Sequence, residues 1–141
     1  MNCIDKARSI LQKTNSTCAF CNENTVLTDT RRGVRPLLDL IEAKMDMTSF
    51  AAADKVVGKA AAYLYCILNV KALHAIVISE PALTVLQERM IPVTYESLVP
   101  SIQNRTQTGP CPMEHAVWNI DHPEDALAAI YKTMEQLSRL G

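Results

Sequence analysis

Apolar residues recur at helical spacing at both ends of the chain. Ile4, Ala7, Ile10 and Leu11 predict a short amphipathic helix from Ile4 to Lys13, closed by Thr14-Asn15-Ser16. Asp121-His122-Pro123 predicts the start of a terminal helix whose Ala126, Leu127, Ile130, Met134, Leu137 and Leu140 share one face. Between them the period changes repeatedly. Thr17 to Cys21 and Thr25 to Thr28 are short apolar runs around Asn22-Glu23-Asn24, the pattern of a hairpin. Pro36 then suits the first position of a helix carrying Leu37, Leu38, Leu40 and Ile41, and Lys44 to Ser49 is a polar connection.

Ala53, Val56, Val57, Ala60, Ala61, Leu64 and Leu68 recur at spacings of three and four, which predicts a central helix running through Ala52 to Ala62, with Ser49 as its N-cap. Gly58 would cost such a helix about 1 kcal/mol relative to alanine, so its presence points to a close approach by a sheet or a ligand. Asp54 suits the start of that helix, whereas Lys55 and Lys59, one turn apart, stand at the end disfavoured for cations.

Ala72 to Ser79 is nearly continuous in apolar character, as a buried parallel strand should be. His74 within it reads as a satisfied core or edge histidine in preference to a ligand. Ser79 or Glu80 caps a helix entered through Pro81, with Leu83, Val85, Leu86 and Met90 turned inward, and Ile91 to Tyr95 forms the next strand. Cys111-Pro112-Met113-Glu114 opens a further helix, with Glu114 where a capping-box acid would stand and Met113, Ala116, Val117 and Ile120 inward. This alternation of helix and strand implies an α/β fold with a parallel or mixed sheet, and the length of 141 residues suits one compact domain.

A formal net charge of −1 gives no electrostatic reason to expect nucleic acid as a partner. The longest apolar run, Ala60 to Val70, is too short to span a bilayer, and no basic segment precedes an apolar one at the start, so a cytoplasmic location without membrane attachment is expected. Five cysteines at irregular spacing fit reduced thiols better than a disulfide framework. Cys18 and Cys21 have CxxC spacing, but a strand sends residues three apart to opposite faces, so a structural role is preferred to zinc or redox chemistry.

In an open sheet of this kind ligands bind beyond the carboxyl ends of the strands. Three segments fall on that rim: Asp54 with Lys55 and Lys59, Ser79-Glu80-Pro81, and the loop ending in Cys111 to Glu114. Each has a plain structural reading as a cap, a dipole partner or a solvated charge. Together they suggest a positively charged concavity binding a small anionic or nucleotide-like ligand through Lys55, Lys59, Asn104 and Arg105, with Arg32 of the basic loop 29–36 as a further anion contact. The rival is an enzyme using Cys111, Lys55 or Lys59 as nucleophile and Asp54, Glu80 or Glu114 as acid–base groups. Asp54, Glu80, Cys111 and Glu114 lack a zinc spacing, so no metal or cofactor is assigned; a homo-oligomer is left open.

The blocks Arg32-Gly33-Val34-Arg35-Pro36-Leu37-Leu38, Ala53 to Ala62, Ser79-Glu80-Pro81-Ala82-Leu83, Asn104-Arg105-Thr106 and Cys111-Pro112-Met113-Glu114 resemble a bacterial and archaeal family of unknown function. That family is placed within the cytidine-deaminase-like superfamily. The resemblance spans about Ile4 to Ile130 and implies a three-layer α/β/α scaffold. It does not carry deamination with it. Deaminases begin the central helix with His or Cys followed two residues later by Glu, and the next helix with Pro-Cys-x-x-Cys. This chain offers Asp54 and Val56 at the first place, and Glu80-Pro81-Ala82-Leu83 at the second.

Overall fold

A computed structural model of the protein describes residues 2–103, 109 and 111–140, Leu140 by its backbone alone. The elements are α1 (Cys3–Lys13), β1 (Cys18–Cys21), β2 (Val26–Asp29), α2 (Arg35–Glu42), β3 (Ala51–Val57), α3 (Lys59–Leu68), β4 (Ala72–Ser79), α4 (Glu80–Glu88), β5 (Val93–Val99), α5 (Pro112–Val117) and α6 (Pro123–Leu140). They form a mixed five-stranded sheet of order β2-β1-β3-β4-β5. β1 runs antiparallel to β2 and β3, whereas β3, β4 and β5 are parallel.

The hairpin forms where expected. Asn22 closes its turn, the side-chain oxygen accepting from the backbone N–H groups of Asn24 and Thr25. The first half of the expected central helix, by contrast, is the strand β3. Alanine favours helices, but this run lies between β1 and β4, where it completes two ladders. Ala52 belongs to the large apolar cluster around Tyr65, Leu64 and Leu73, and Ala53 to a smaller one with Ala7, Leu11, Ala19 and Cys21 beneath α1. Methyl side chains let helices approach this strand closely from both faces. Ser49, expected to cap the helix, instead accepts from the Asn22 side chain in the loop before β3.

β1 shows the same two-sidedness. Cys18 and Phe20 enter the large cluster and Ala19 and Cys21 the small one, so both cysteines of the CxxC spacing are buried, on opposite faces. On β4, His74 is buried with Nδ1 2.7 Å from Thr94 Oγ1 and Nε2 3.2 Å from Glu96 Oε2, both on β5. That arrangement is the satisfied-histidine reading. Met90 is not inward: it is 88% exposed, because α4 ends at Glu88 and a left-handed φ of 60° at Met90 turns the chain so that Ile91 is buried instead. Leu137 of α6 is likewise exposed, whereas Ala126 and Ile130 are fully buried. No described helix is long and apolar enough to cross a membrane.

Candidate functional site

β3 ends at Val57, and α3 starts at Lys59 with Gly58 as a cap residue that has no side chain to offer. The missing cap is supplied from α5. Both carboxylate oxygens of Glu114 accept from the Lys59 backbone N–H, at 2.8 and 3.0 Å, which places a negative group on the positive end of the α3 dipole. Glu114 is 1% exposed. It therefore caps a helix 55 residues away in sequence and not its own, a correction of the capping-box expectation.

Gly58 is explained by the same contact. Its φ of −93° and ψ of 179° suit any residue, so conformational freedom is not the reason for glycine here. A Cβ at Gly58 would run into Glu114 Oε2 and stand 3.1 Å from Ile102 Cγ1. The close approach anticipated at Gly58 is made by a buried carboxylate.

Other contacts seat α5 on the first turn of α3. Lys59 Nζ donates to the Trp118 carbonyl at 2.7 Å and stands 5.8 Å from the Tyr63 ring centroid. The Tyr63 hydroxyl donates to the Ile120 carbonyl at 2.5 Å. Ser79 is fully buried at the start of α4, where its oxygen accepts from the Ala82 N–H at 3.3 Å. Burial pushes the Glu114 carboxyl above its usual range, while the Lys59 N–H, the Lys59 charge and the Ser79 hydroxyl oppose the rise. Cys111, partly exposed, precedes α5, and its N–H donates to the Ile102 carbonyl at 2.9 Å.

The remaining candidates lie elsewhere. Asp54 is on β3 and not at a helix start; its Oδ2 accepts from the buried Tyr65 hydroxyl at 2.6 Å and its Oδ1 from the Val56 N–H at 3.2 Å. Burial raises its carboxyl to about 6, against the pull of those hydrogen bonds. Lys55 alternates to the opposite face of the strand, so the two lysines are not one turn apart on a helix as expected. Glu80 is exposed in the first turn of α4, where its charge favours the dipole. In the basic loop Arg31 pairs with Asp29 and Asp39, and Arg35 with Asp39 and Glu42, so both are committed to carboxylates of this chain; Arg32 is exposed. Asn104 and Arg105 lie outside the described residues.

Sequence reasoning missed Tyr65 and Trp118 as neighbours of these groups, whereas Ser79, placed on the rim by its capping position, does lie against Glu114. Two cavities among the described residues, of about 410 and 260 Å³, both include Asn69 at the far end of α3 from Lys59, and neither is lined by the rim residues. No three His, Cys, Asp or Glu side chains among the described residues gather as a metal-binding group. α3 starts with Lys59-Ala60-Ala61 and α4 with Glu80-Pro81-Ala82, so neither helix start offers the histidine or cysteine donors of a zinc site.

The fold and the rim define an α/β protein with a mixed sheet in which a buried carboxylate locks the start of one crossover helix. The particular family follows from comparison. Residues 6–134 match the family model TM1506, described as "Domain of unknown function (DUF1893)", and the chain belongs to that family. The chain is similar to the crystal structure of a DUF1893 family protein (TM1506) from Thermotoga maritima, with 25% sequence identity and a TM-score of 0.84 over 95% of this chain and 89% of that one. No curated protein matches it.

Proposed function

We propose that this is a cytoplasmic binding or regulatory protein on a three-layer, cytidine-deaminase-like scaffold without the zinc site, which holds a small anionic or nucleotide-like ligand beside Lys59. The observation that carries this reading is the meeting of Lys59 with α5 beyond the carboxyl end of β3, with Ser79 of the neighbouring strand against the same carboxylate. Lys59 is partly exposed there, its ammonium 5.8 Å from the Tyr63 ring centroid and donating to the carbonyl of the exposed Trp118, a cation suited to a phosphate or another small anion. Arg32, Lys55, Asn104 and Arg105 are retained as the outer anion contacts of this proposal. Asp54 and Glu80 have separate structural employment and are not needed for it.

Titration calorimetry with nucleoside monophosphates and with inorganic phosphate tests this reading. Saturable binding that weakens about tenfold or more in Lys59→Met is expected, since one charge-assisted contact is worth roughly 1.5–3 kcal/mol. Absence of binding at millimolar ligand, or equal binding by Lys59→Met, would overturn it. The raised carboxyl of Glu114 favours a second reading, an enzyme with Glu114 as acid–base group and Cys111 as nucleophile. Preferential alkylation of Cys111 among the five thiols at neutral pH would select that reading.

A further inference from the structure

The histidine of β4 belongs to a chain of three side chains. His74 is aligned with Thr94 across the parallel ladder, and Glu96 lies two residues on along β5, so the two β5 side chains hold the imidazole between them. The Glu96 carboxylate, 3.2 Å from Nε2, can only accept, which in the neutral imidazole puts the proton on Nε2 and leaves the lone pair on Nδ1. The Thr94 hydroxyl, 2.7 Å away, therefore donates to Nδ1. His74 is 3% exposed, whereas Thr94 and Glu96 face solvent. A reachable hydroxyl held on a buried base, whose other nitrogen is held by a carboxylate, has the geometry and the polarity of a nucleophile, its base and the group that orients the base.

Ala53, His74 and Thr94 are aligned across β3, β4 and β5 and share the sheet face that α1 covers at Ala53. Ile10 of α1 and Ile76, two residues beyond His74, are partly buried against that cluster and give an apolar shoulder beside the three groups. β5 is the edge strand among the described residues. The Leu73 N–H donates to the Pro92 carbonyl at 2.9 Å, a phase that turns residues 94 and 96 toward β4 and the Tyr95 N–H toward the open edge, as a donor next to Thr94. From this juxtaposition we propose that Thr94, His74 and Glu96 form an acyl-transfer triad that hydrolyses small carboxylic esters, at a place separate from Lys59. Thr94 Oγ1 attacks the ester carbonyl carbon while His74 Nδ1 takes its proton, and the Glu96 carboxylate favours the imidazolium so formed. The oxyanion is met by the Tyr95 N–H. The alcohol leaves with the proton from Nδ1 as its C–O bond breaks, and the acyl group stays on Thr94. Water then attacks that acyl group with His74 again as base, releasing the acid and restoring the hydroxyl, so one ester and one water become one alcohol and one acid. A short acyl chain is accommodated on Ile10 and Ile76.

The test is p-nitrophenyl acetate with the whole protein, following release of p-nitrophenolate in substrate excess. Release should continue well past the amount of protein present, and fragmentation mass spectrometry after an acid quench should place an acetyl ester on Thr94. Thr94→Val keeps the branched shape at an exposed strand position and should fold, as circular dichroism checks, while turnover falls about a hundredfold, the scale of a lost base-activated nucleophile. Glu96 acts through His74 as a positioning residue, so Glu96→Gln should lower kcat about tenfold or more and leave KM unchanged. Turnover that survives in Thr94→Val, or acetyl groups found only on lysine and cysteine side chains with no release beyond the amount bound, would overturn the proposal.

Discussion

Replacing Gly58 with alanine probes the contact that organises the rim. The backbone at Gly58 accepts alanine without strain, so the change by itself should stabilise the chain by about 0.4–1 kcal/mol through the unfolded state. The added methyl, however, takes the place of the Glu114 carboxylate. Its displacement removes a charge-assisted acceptor from the Lys59 N–H, costing roughly 1.5–3 kcal/mol, and loosens the seat of α5 at Trp118 and Ile120. The net expectation for Gly58→Ala is a loss of about 1–3 kcal/mol, or roughly 3–10 °C in Tm for a chain of this size. Urea denaturation followed by circular dichroism gives the free energy, and the fluorescence of the single tryptophan, Trp118, reports locally on α5. In a Glu114→Ala background the clash with the carboxylate is gone and only the 3.1 Å approach to the Ile102 side chain remains, so the same glycine substitution should cost much less. An equal cost in both backgrounds, or no cost in the wild type, would refute the account of why residue 58 is glycine.

Two further outcomes follow from the core and the surface. Because the Asp54 carboxyl lies near 6 in the folded chain and near 3.8 when unfolded, the native state binds more protons between those values. Its contribution to stability should therefore rise as pH falls from 7 to 4, by about 3 kcal/mol at most; Glu114, also raised, acts in the same direction. Asp54→Asn keeps an acceptor for Tyr65 and should remove most of this rise, so a wild-type urea midpoint that drops between pH 7 and 5 contradicts the assignment. The opposite slope belongs to Asp29 and Asp39, whose carboxyls are held low by Arg31 and whose stabilisation is lost on further acidification. Met90→Gly should stabilise by about 0.5–1 kcal/mol, since a left-handed residue that is 88% exposed gives up strain and almost no packing; a lower Tm for that variant would show that its side chain matters.

The sequence by itself determined the elements whose period or punctuation had only one solution. The stripes of α1 and α6, the Asn22 hairpin, the apolar run of β4 and the proline-led starts of α2, α4 and α5 are local patterns, and each lies within a few residues of its expected place. The stretch Ala52 to Ala62 was ambiguous for a physical reason. Alanines are neutral between periods, and a strand covered on both faces shows no alternation, so spacings of three and four arose by coincidence. Only its place between β1 and β4 made the first half a strand and moved the helix start to Lys59.

The same holds for chemistry. Residues 58, 79 and 114 could be singled out one at a time, but which carboxylate meets which N–H depends on how α5 packs on α3. Asp54 stood five residues before Lys59 and yet went to Tyr65, while Cys21 stood three residues from Cys18 and yet packs on the other face of the sheet, with Ala7 and Leu11 of α1. Nearness along a strand alternates faces, whereas nearness across packed elements is set by the tertiary fold alone.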